Sequence, residues 1–114
     1  MNSEEPKTTQ EHRPDVNALY CDAERIHECT VAGVPIKIKE ISGEAYTAIV
    51  DRCSDVRKQT LNRRKYFDEL VDACVISPKI DVDRLKPGSL TMLISEIEGV
   101  LGLSEVVQKN LLNR

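Results

Sequence analysis

The chain has 114 residues, of which 40% are hydrophobic and 31% charged, which fits one small soluble domain with a modest core. No apolar run approaches the roughly 18 residues that a membrane helix needs, and the N-terminal residues lack the apolar segment of a secretory signal. Sixteen basic and nineteen acidic residues give a net charge of −3, which argues against a protein that binds nucleic acid over its whole surface.

Residues 1–24 are predicted to form a flexible N-terminal arm, because the first fifteen hold two prolines, several glutamates and almost no large apolar side chain. A single domain is predicted over residues 25–103. Residues 104–114 are predicted to form a short C-terminal helix or tail, with Ser104 as its cap.

Alternating apolar and polar residues between Glu28 and Ile41 predict a β-hairpin. Ala32-Gly33 separates the two runs, and glycine supplies the positive φ that a tight turn needs. Pro35 has no N–H to donate, so its strand is expected to present an edge at that point.

Three amphipathic helices are predicted after the hairpin. The first follows Ser42 as its N-cap, and the second runs from about Asn62 to Ile76. Ser89 is expected to cap the third helix, and Gly102 to follow its end. The apolar stripe of the first helix includes Ala45, Tyr46, Ile49, Val50, Cys53 and Val56.

A two-stranded hairpin is marginally stable alone in water, so its apolar face is expected to pack on the helices. The predicted fold class is therefore α+β and mostly helical. It consists of an N-terminal β-hairpin packed on about three amphipathic helices, plus the short C-terminal helix. Residues 55–64 are a polar stretch that follows the apolar stripe of the first helix.

No arrangement of side chains suggests an enzyme, a metal site or a cofactor. The two histidines have no serine or cysteine nearby in a recognised nucleophile context, and the five glycines form no phosphate loop. Cys21, His27 and Cys29 lack the tight ligand pairs of structural zinc sites, so the four cysteines are expected to be reduced and structural. Glu96 and Glu98, two residues apart on a helix, are expected to lie on a solvated face.

The main charged feature is a cluster of six basic residues between Arg52 and Lys65, with Asp55 as the only acid among them. Such a cluster fits either a solvated loop between helices or a docking patch for an acidic partner or a phosphate backbone. Aromatic residues suited to base stacking are scarce, which disfavours direct nucleic-acid binding.

Four stretches between residues 28 and 103 resemble the small tail assembly chaperones of the XkdN-like type, found in phages and prophages of Gram-positive bacteria. They share a Lys-rich strand before a helix, a helix followed by Ser-Pro, a Pro-Gly turn, and a helix ending in glycine and apolar residues. The stretches read VPIKIKEISGEAYTAIVDRC, KYFDELVDACVISPKI, LKPGSL and LISEIEGVLGL. The long N-terminal arm, the short loop before the Pro-Gly turn and Ser89 depart from the family pattern.

The resemblance implies a non-enzymatic function. Such chaperones bind the long, largely helical tape measure protein, keep it soluble and help tail tube subunits polymerise around it. The chain would then act in the cytoplasm of the bacterial host and be absent from the mature virion. Its implied partners are the tape measure protein and, as a second partner, the major tail tube protein, with self-association also open.

A tape measure chain exposes apolar helical stripes before the tube encloses it, and a surface of the second and third helices is expected to cover them. The apolar residues expected near this surface are Tyr66, Phe67, Leu93 and Ile97. The basic residues expected to attract acidic segments of the partner are Arg57, Lys58, Arg63, Arg64 and Lys65.

Two other functions stay open. One is a small structural tail or head-completion protein that is retained in the particle. The other is a small regulatory or nucleic-acid adaptor, which would bind DNA or RNA in a salt-dependent way.

Overall fold

The computed structural model describes residues 15–103. About 49% of these residues are helical and about 21% lie in strands, and the predicted α+β class with an N-terminal hairpin and three helices is confirmed. Residues 1–14 of the predicted arm and the predicted helix at 104–114 lie outside the described residues. No helix within residues 15–103 is long and apolar enough to cross a membrane.

The hairpin consists of β1 (Ile26–Val31) and β2 (Val34–Lys39), paired antiparallel through a two-residue turn. Ala32 and Gly33 have φ values of 52° and 81°, the two positive values that a type I′ turn requires. Side chains alternate along β2, with Ile36 and Ile38 buried and the intervening lysines exposed. The turn and the alternation predicted from the sequence are therefore confirmed.

Three helices follow, α1 (Gly43–Cys53), α2 (Arg63–Cys74) and α3 (Pro87–Val100). Ser42 caps α1 as predicted, since its Oγ accepts the Ala45 N–H at 3.1 Å. Asn62 caps α2 in the same way through the Lys65 N–H, also at 3.1 Å. The predicted Ser89 cap is wrong, because α3 begins at Pro87 and its N-cap is Lys86, three residues before Ser89. Proline suits the first position of a helix, since the N–H groups there have no intrahelical partner.

Two short strand pairings occur at places where the sequence predicted other structure. Residues 54–61 form a small ribbon of β3 (Ser54–Asp55) and β4 (Thr60–Leu61), where the sequence predicted the end of the first helix and a polar stretch. Val56, placed on the stripe of the first helix by its spacing, lies instead in the turn of this ribbon and is 86% exposed. The helix ends at Cys53 because the chain turns into β3 immediately afterwards.

The second helix also ends earlier than predicted, at Cys74, and the next residues form β5 (Val75–Ser77). β5 pairs antiparallel with β2 through Ile38 and Lys37, so the sheet has the strand order β1-β2-β5. Two β-branched residues followed by Ser-Pro favour extended backbone over another helical turn. β5 does not reach Pro35, so the missing N–H of Pro35 leaves no pairing unmade on that side.

The core lies where α3 packs against both hairpin strands and against α2. Cys53 and Cys74 are free and buried, as their positions on helical stripes predicted. The largest fully buried side chains come from the hairpin, α2 and α3, and are Ile38, Leu70, Cys74, Leu93 and Ile97. The hairpin is therefore stabilised by α3, as expected for a hairpin that cannot cover its own apolar face.

Two neighbouring residues of α3 test this account of the core. Leu93 is 1% exposed and Met92 is 50% exposed, so Leu93→Ala leaves a cavity and Met92→Ala does not. We expect Leu93→Ala to lower the free energy of unfolding by about 2–5 kcal/mol, and Met92→Ala to lower it by about 0.5 kcal/mol or less. Urea denaturation of both variants measures the difference, and equal losses would contradict the assigned orientation of α3.

Candidate partner-binding surfaces

An apolar groove lies between the tip of the hairpin, the segment after β5 and the start of α3, and we call it the tip groove. Its volume is about 480 Å³, within the roughly 300–1,000 Å³ common for binding pockets. Its apolar lining consists of Val31, Val34, Ile36, Ile80, Leu85 and Leu93. Polar side chains at its rim are Lys79, Asp81, Arg84 and Ser89.

The segment that forms one wall of the tip groove is anchored at several points. Val82 enters the core from a short 3-10 helix, Val82–Arg84. Asp81 caps this helix, since its Oδ1 accepts the Asp83 N–H at 3.1 Å. Arg64 of α2 donates to both carboxylate oxygens of Asp83 at 2.7 Å. These contacts fix the position of the groove wall, although the sequence predicted only a loop here.

The four apolar residues predicted near the partner surface lie mostly in the core. Tyr66, Leu93 and Ile97 are buried, and Phe67 is partly buried against the same cluster. Leu93 alone contributes to the tip groove, as part of its floor. Tyr66 and Ile97 are therefore not accessible on the surface, because the sheet and the neighbouring helices cover them, and their role in partner binding stays a prediction.

Tyr66 joins the three helices through hydrogen bonds. Its hydroxyl donates to Glu98 Oε2 at 3.2 Å and lies 2.9 Å from the hydroxyl of Tyr46. Because a hydroxyl has one hydrogen to donate, Tyr46 is the donor to Tyr66 in this arrangement. The rings of Tyr46 and Tyr66 also meet edge to face, with centroids 6.3 Å apart. One side chain from each helix thus takes part in a single chain of donors and acceptors.

Burial shifts the ionisation of both acidic groups in this network. It raises the pKa of the Tyr66 hydroxyl, and the nearby Glu98 carboxylate also raises it. Burial also raises the pKa of Glu98, while the hydrogen bond from Tyr66 acts in the opposite direction. The expectation that Glu98 lies on a solvated face is therefore wrong. The spacing of Glu96 and Glu98 predicted only that the two carboxylates would not face each other.

Half of the basic cluster is engaged inside the domain. Arg52 forms a fork with Glu69, and its Nε lies 3.0 Å from Oε1. This pair raises the pKa of Arg52 and lowers the pKa of Glu69. Lys65 donates to the carbonyl oxygen of Arg52 at 3.0 Å, and Arg64 is paired with Asp83. These three cations form contacts that join α1, α2 and the groove wall. The predicted contacts with a partner would compete with them.

The other cations of the cluster are exposed. Within residues 15–103, the side chains of Arg57, Lys58 and Arg63 form no ion pair. Asp55 lies in the same ribbon, where its Oδ1 accepts the backbone N–H groups of Arg57 and Lys58 at 3.0 and 3.3 Å. Its charge offsets part of the local positive charge, but it forms no ion pair with these side chains. A shallow, open depression of about 430 Å³ lies beside them, lined by Arg52, Val56, Arg57, Asn62 and Lys65 among others.

At the opposite end of the hairpin, Glu40 holds the segment that precedes β1. Its carboxylate accepts the Asp22 N–H at 2.9 Å and lies 3.0 Å from Nε2 of His27. Both contacts lower the pKa of Glu40. His27 is thus one of the residues that hold Glu40 in place beside the segment that precedes β1. No group of three or more His, Cys, Asp or Glu side chains in the described part of the chain is placed to hold a metal ion.

A comparison of the chain with protein-family models, with curated proteins and with solved structures finds no match. The resemblance of the four sequence stretches to tail assembly chaperones therefore stays a prediction. The binding surfaces described above rest on the geometry of this chain alone.

Tyr66→Phe tests the network that joins the helices. It keeps the buried ring and removes the hydroxyl, which leaves Tyr46 without its acceptor and Glu98 without its donor. We expect the free energy of unfolding to fall by about 1–2 kcal/mol. Tyr20→Phe is the matched control, since Tyr20 is exposed and its loss of a hydroxyl should have little effect on urea denaturation. Equal stability of both variants and the parent would contradict the network.

The raised pKa of Glu98 predicts a pH effect with a definite sign. Above pH 4.5, the ordinary pKa of the group, folded Glu98 binds more protons than unfolded Glu98, so this group lowers stability as the pH rises through its folded pKa. Glu98→Gln removes this component. Stability measured by urea denaturation from pH 4 to 7 should therefore decline less in Glu98→Gln than in Glu96→Gln, an exposed control on the same helix. Parallel pH profiles would contradict the prediction.

Proposed function

We propose that the chain is a tail assembly chaperone of a phage or prophage, which binds an apolar helical segment of the tape measure protein in the tip groove. The observation that carries the proposal is this groove, an apolar recess that the domain does not fill with its own described residues. The resemblance of four sequence stretches to this family supports the choice of partner.

The shape of the tip groove suits a helix that presents a few apolar side chains. Helix-in-groove recognition uses anchors spaced three and four residues apart, and their burial supplies most of the affinity. Val34, Ile80 and Leu85 offer apolar contact along the walls, while Lys79 and Arg84 offer polar contacts at the rim. A small site of this kind favours transient binding, which a chaperone needs when the tube later encloses its client.

The proposal carries a cellular setting and further partners. The chaperone acts in the cytoplasm of the bacterial host, before the tape measure protein is enclosed, and leaves before the virion is complete. The major tail tube protein is a second proposed partner, and self-association would give several grooves along one tape measure chain. Catalysis has no part in this function, which depends only on reversible coverage of apolar surface.

Val34→Asp tests the groove against a matched control. Val34 lines the tip groove and Ile76 does not, although both are β-branched strand residues with 46% exposure. In co-expression with the tape measure protein encoded beside this chain, the parent should keep that protein soluble and co-purify with it. Ile76→Asp should behave like the parent. The Val34→Asp variant should lose most of the co-purified tape measure protein, because an apolar side chain of the partner would have to be buried beside the introduced carboxylate.

Two results would contradict the proposal. If a folded parent chain leaves the tape measure protein insoluble and unbound, the chaperone function is wrong. If Val34→Asp and Ile76→Asp bind equally well, the partner does not use the tip groove. Detection of the chain in purified particles would favour the alternative of a structural tail or head-completion protein.

A further inference from the structure

The ribbon of residues 54–61 presents cations and an apolar side chain together at one end of the domain. Val56, Arg57 and Lys58 are consecutive in its turn, and Arg63 follows at the start of α2. All four are exposed, and Val56 lines the shallow depression beside the ribbon together with Arg57 and Lys65. We call Val56, Arg57, Lys58 and Arg63 the basic ribbon.

The backbone of the basic ribbon is held in place without using its side chains. Asp55 pairs with Thr60 across the two strands and accepts two N–H groups of the turn. The Asn62 N–H donates to the carbonyl oxygen of Cys53 at 2.8 Å, which closes the base of the ribbon. A turn that is already ordered loses little conformational entropy when a partner binds.

We infer that the basic ribbon binds an acidic peptide segment that carries an apolar side chain. The cations of Arg57, Lys58 and Arg63 attract carboxylates, and Val56 covers the apolar side chain between them. This surface is separate from the tip groove, and the inference does not depend on the tape measure protein being the partner.

The composition of the basic ribbon favours an acidic peptide over nucleic acid. Val56 is 86% exposed and places an apolar side chain in the turn, and an apolar side chain gains nothing from a phosphate backbone. The ribbon contains no aromatic side chain for base stacking. The chain as a whole carries a net charge of −3, which opposes the approach of a long polyanion but not of a short acidic segment.

Fluorescence anisotropy with a labelled synthetic peptide of repeated Glu-Glu-Leu triplets tests the inference on the full chain. The parent should bind this probe, with an affinity that falls as salt is raised. Arg57→Glu together with Lys58→Glu should weaken binding about tenfold or more. Val56→Ser should weaken it about fivefold, because its apolar contact is lost.

The control is Lys39→Glu together with Lys86→Glu, which makes the same change in net charge at exposed positions away from the ribbon. It should bind within about twofold of the parent, since distant charges are screened. The ribbon variants keep the backbone bonds to Asp55, and thermal unfolding followed by circular dichroism checks their fold.

Three outcomes would overturn the inference. The first is that the parent does not bind the probe, and the second is that both double variants weaken binding equally. The third is that a DNA duplex competes with the peptide and binds more tightly at the same salt. Because no tape measure protein is present, these outcomes are distinct from a failure of the proposed chaperone function.

Discussion

The structure depends on the coverage of the hairpin by α3. Two strands cannot bury both of their faces, and the inner face with Ile36 and Ile38 needs an apolar partner. α3 supplies it through Leu93 and Ile97 and contacts α2 at the same time. The order of the other elements follows, because β5 extends the same sheet and α1 joins the domain by packing on α2.

This use of α3 explains why the surfaces that remain for partners lie at two ends of the domain. The long apolar stripes of α2 and α3 are buried in the core, so a partner cannot reach Ile97 or Leu70. Two of the exposed apolar side chains lie where an element ends, Val34 at the hairpin tip beside the start of α3 and Val56 in the turn after α1. The tip groove and the basic ribbon are both built at such ends.

Local chemistry was enough to predict the hairpin and the start of α1. Ala32-Gly33 and Ser42 act through their own backbone neighbourhood, so their effect is visible in a few consecutive residues. The strand β5 and the ribbon could not be predicted in this way, because two or three residues become a strand only when a distant strand pairs with them. Glu98 looked solvated for the same reason, since the Tyr66 that binds it lies 32 positions earlier in the chain.

The residues of the basic cluster look alike in the sequence but make different contacts in the fold. Arg63, Arg64 and Lys65 are consecutive at the start of α2, and successive residues of a helix point about 100° apart. Arg64 therefore reaches the groove wall at Asp83, while Lys65 reaches the end of α1. Arg63 is left exposed beside the ribbon. The first turn of α2 thus holds the wall of one proposed binding surface and contributes a cation to the other. The charge of this segment is visible in the sequence, but only the position of each carboxylate in the fold decides which cations stay available to a partner.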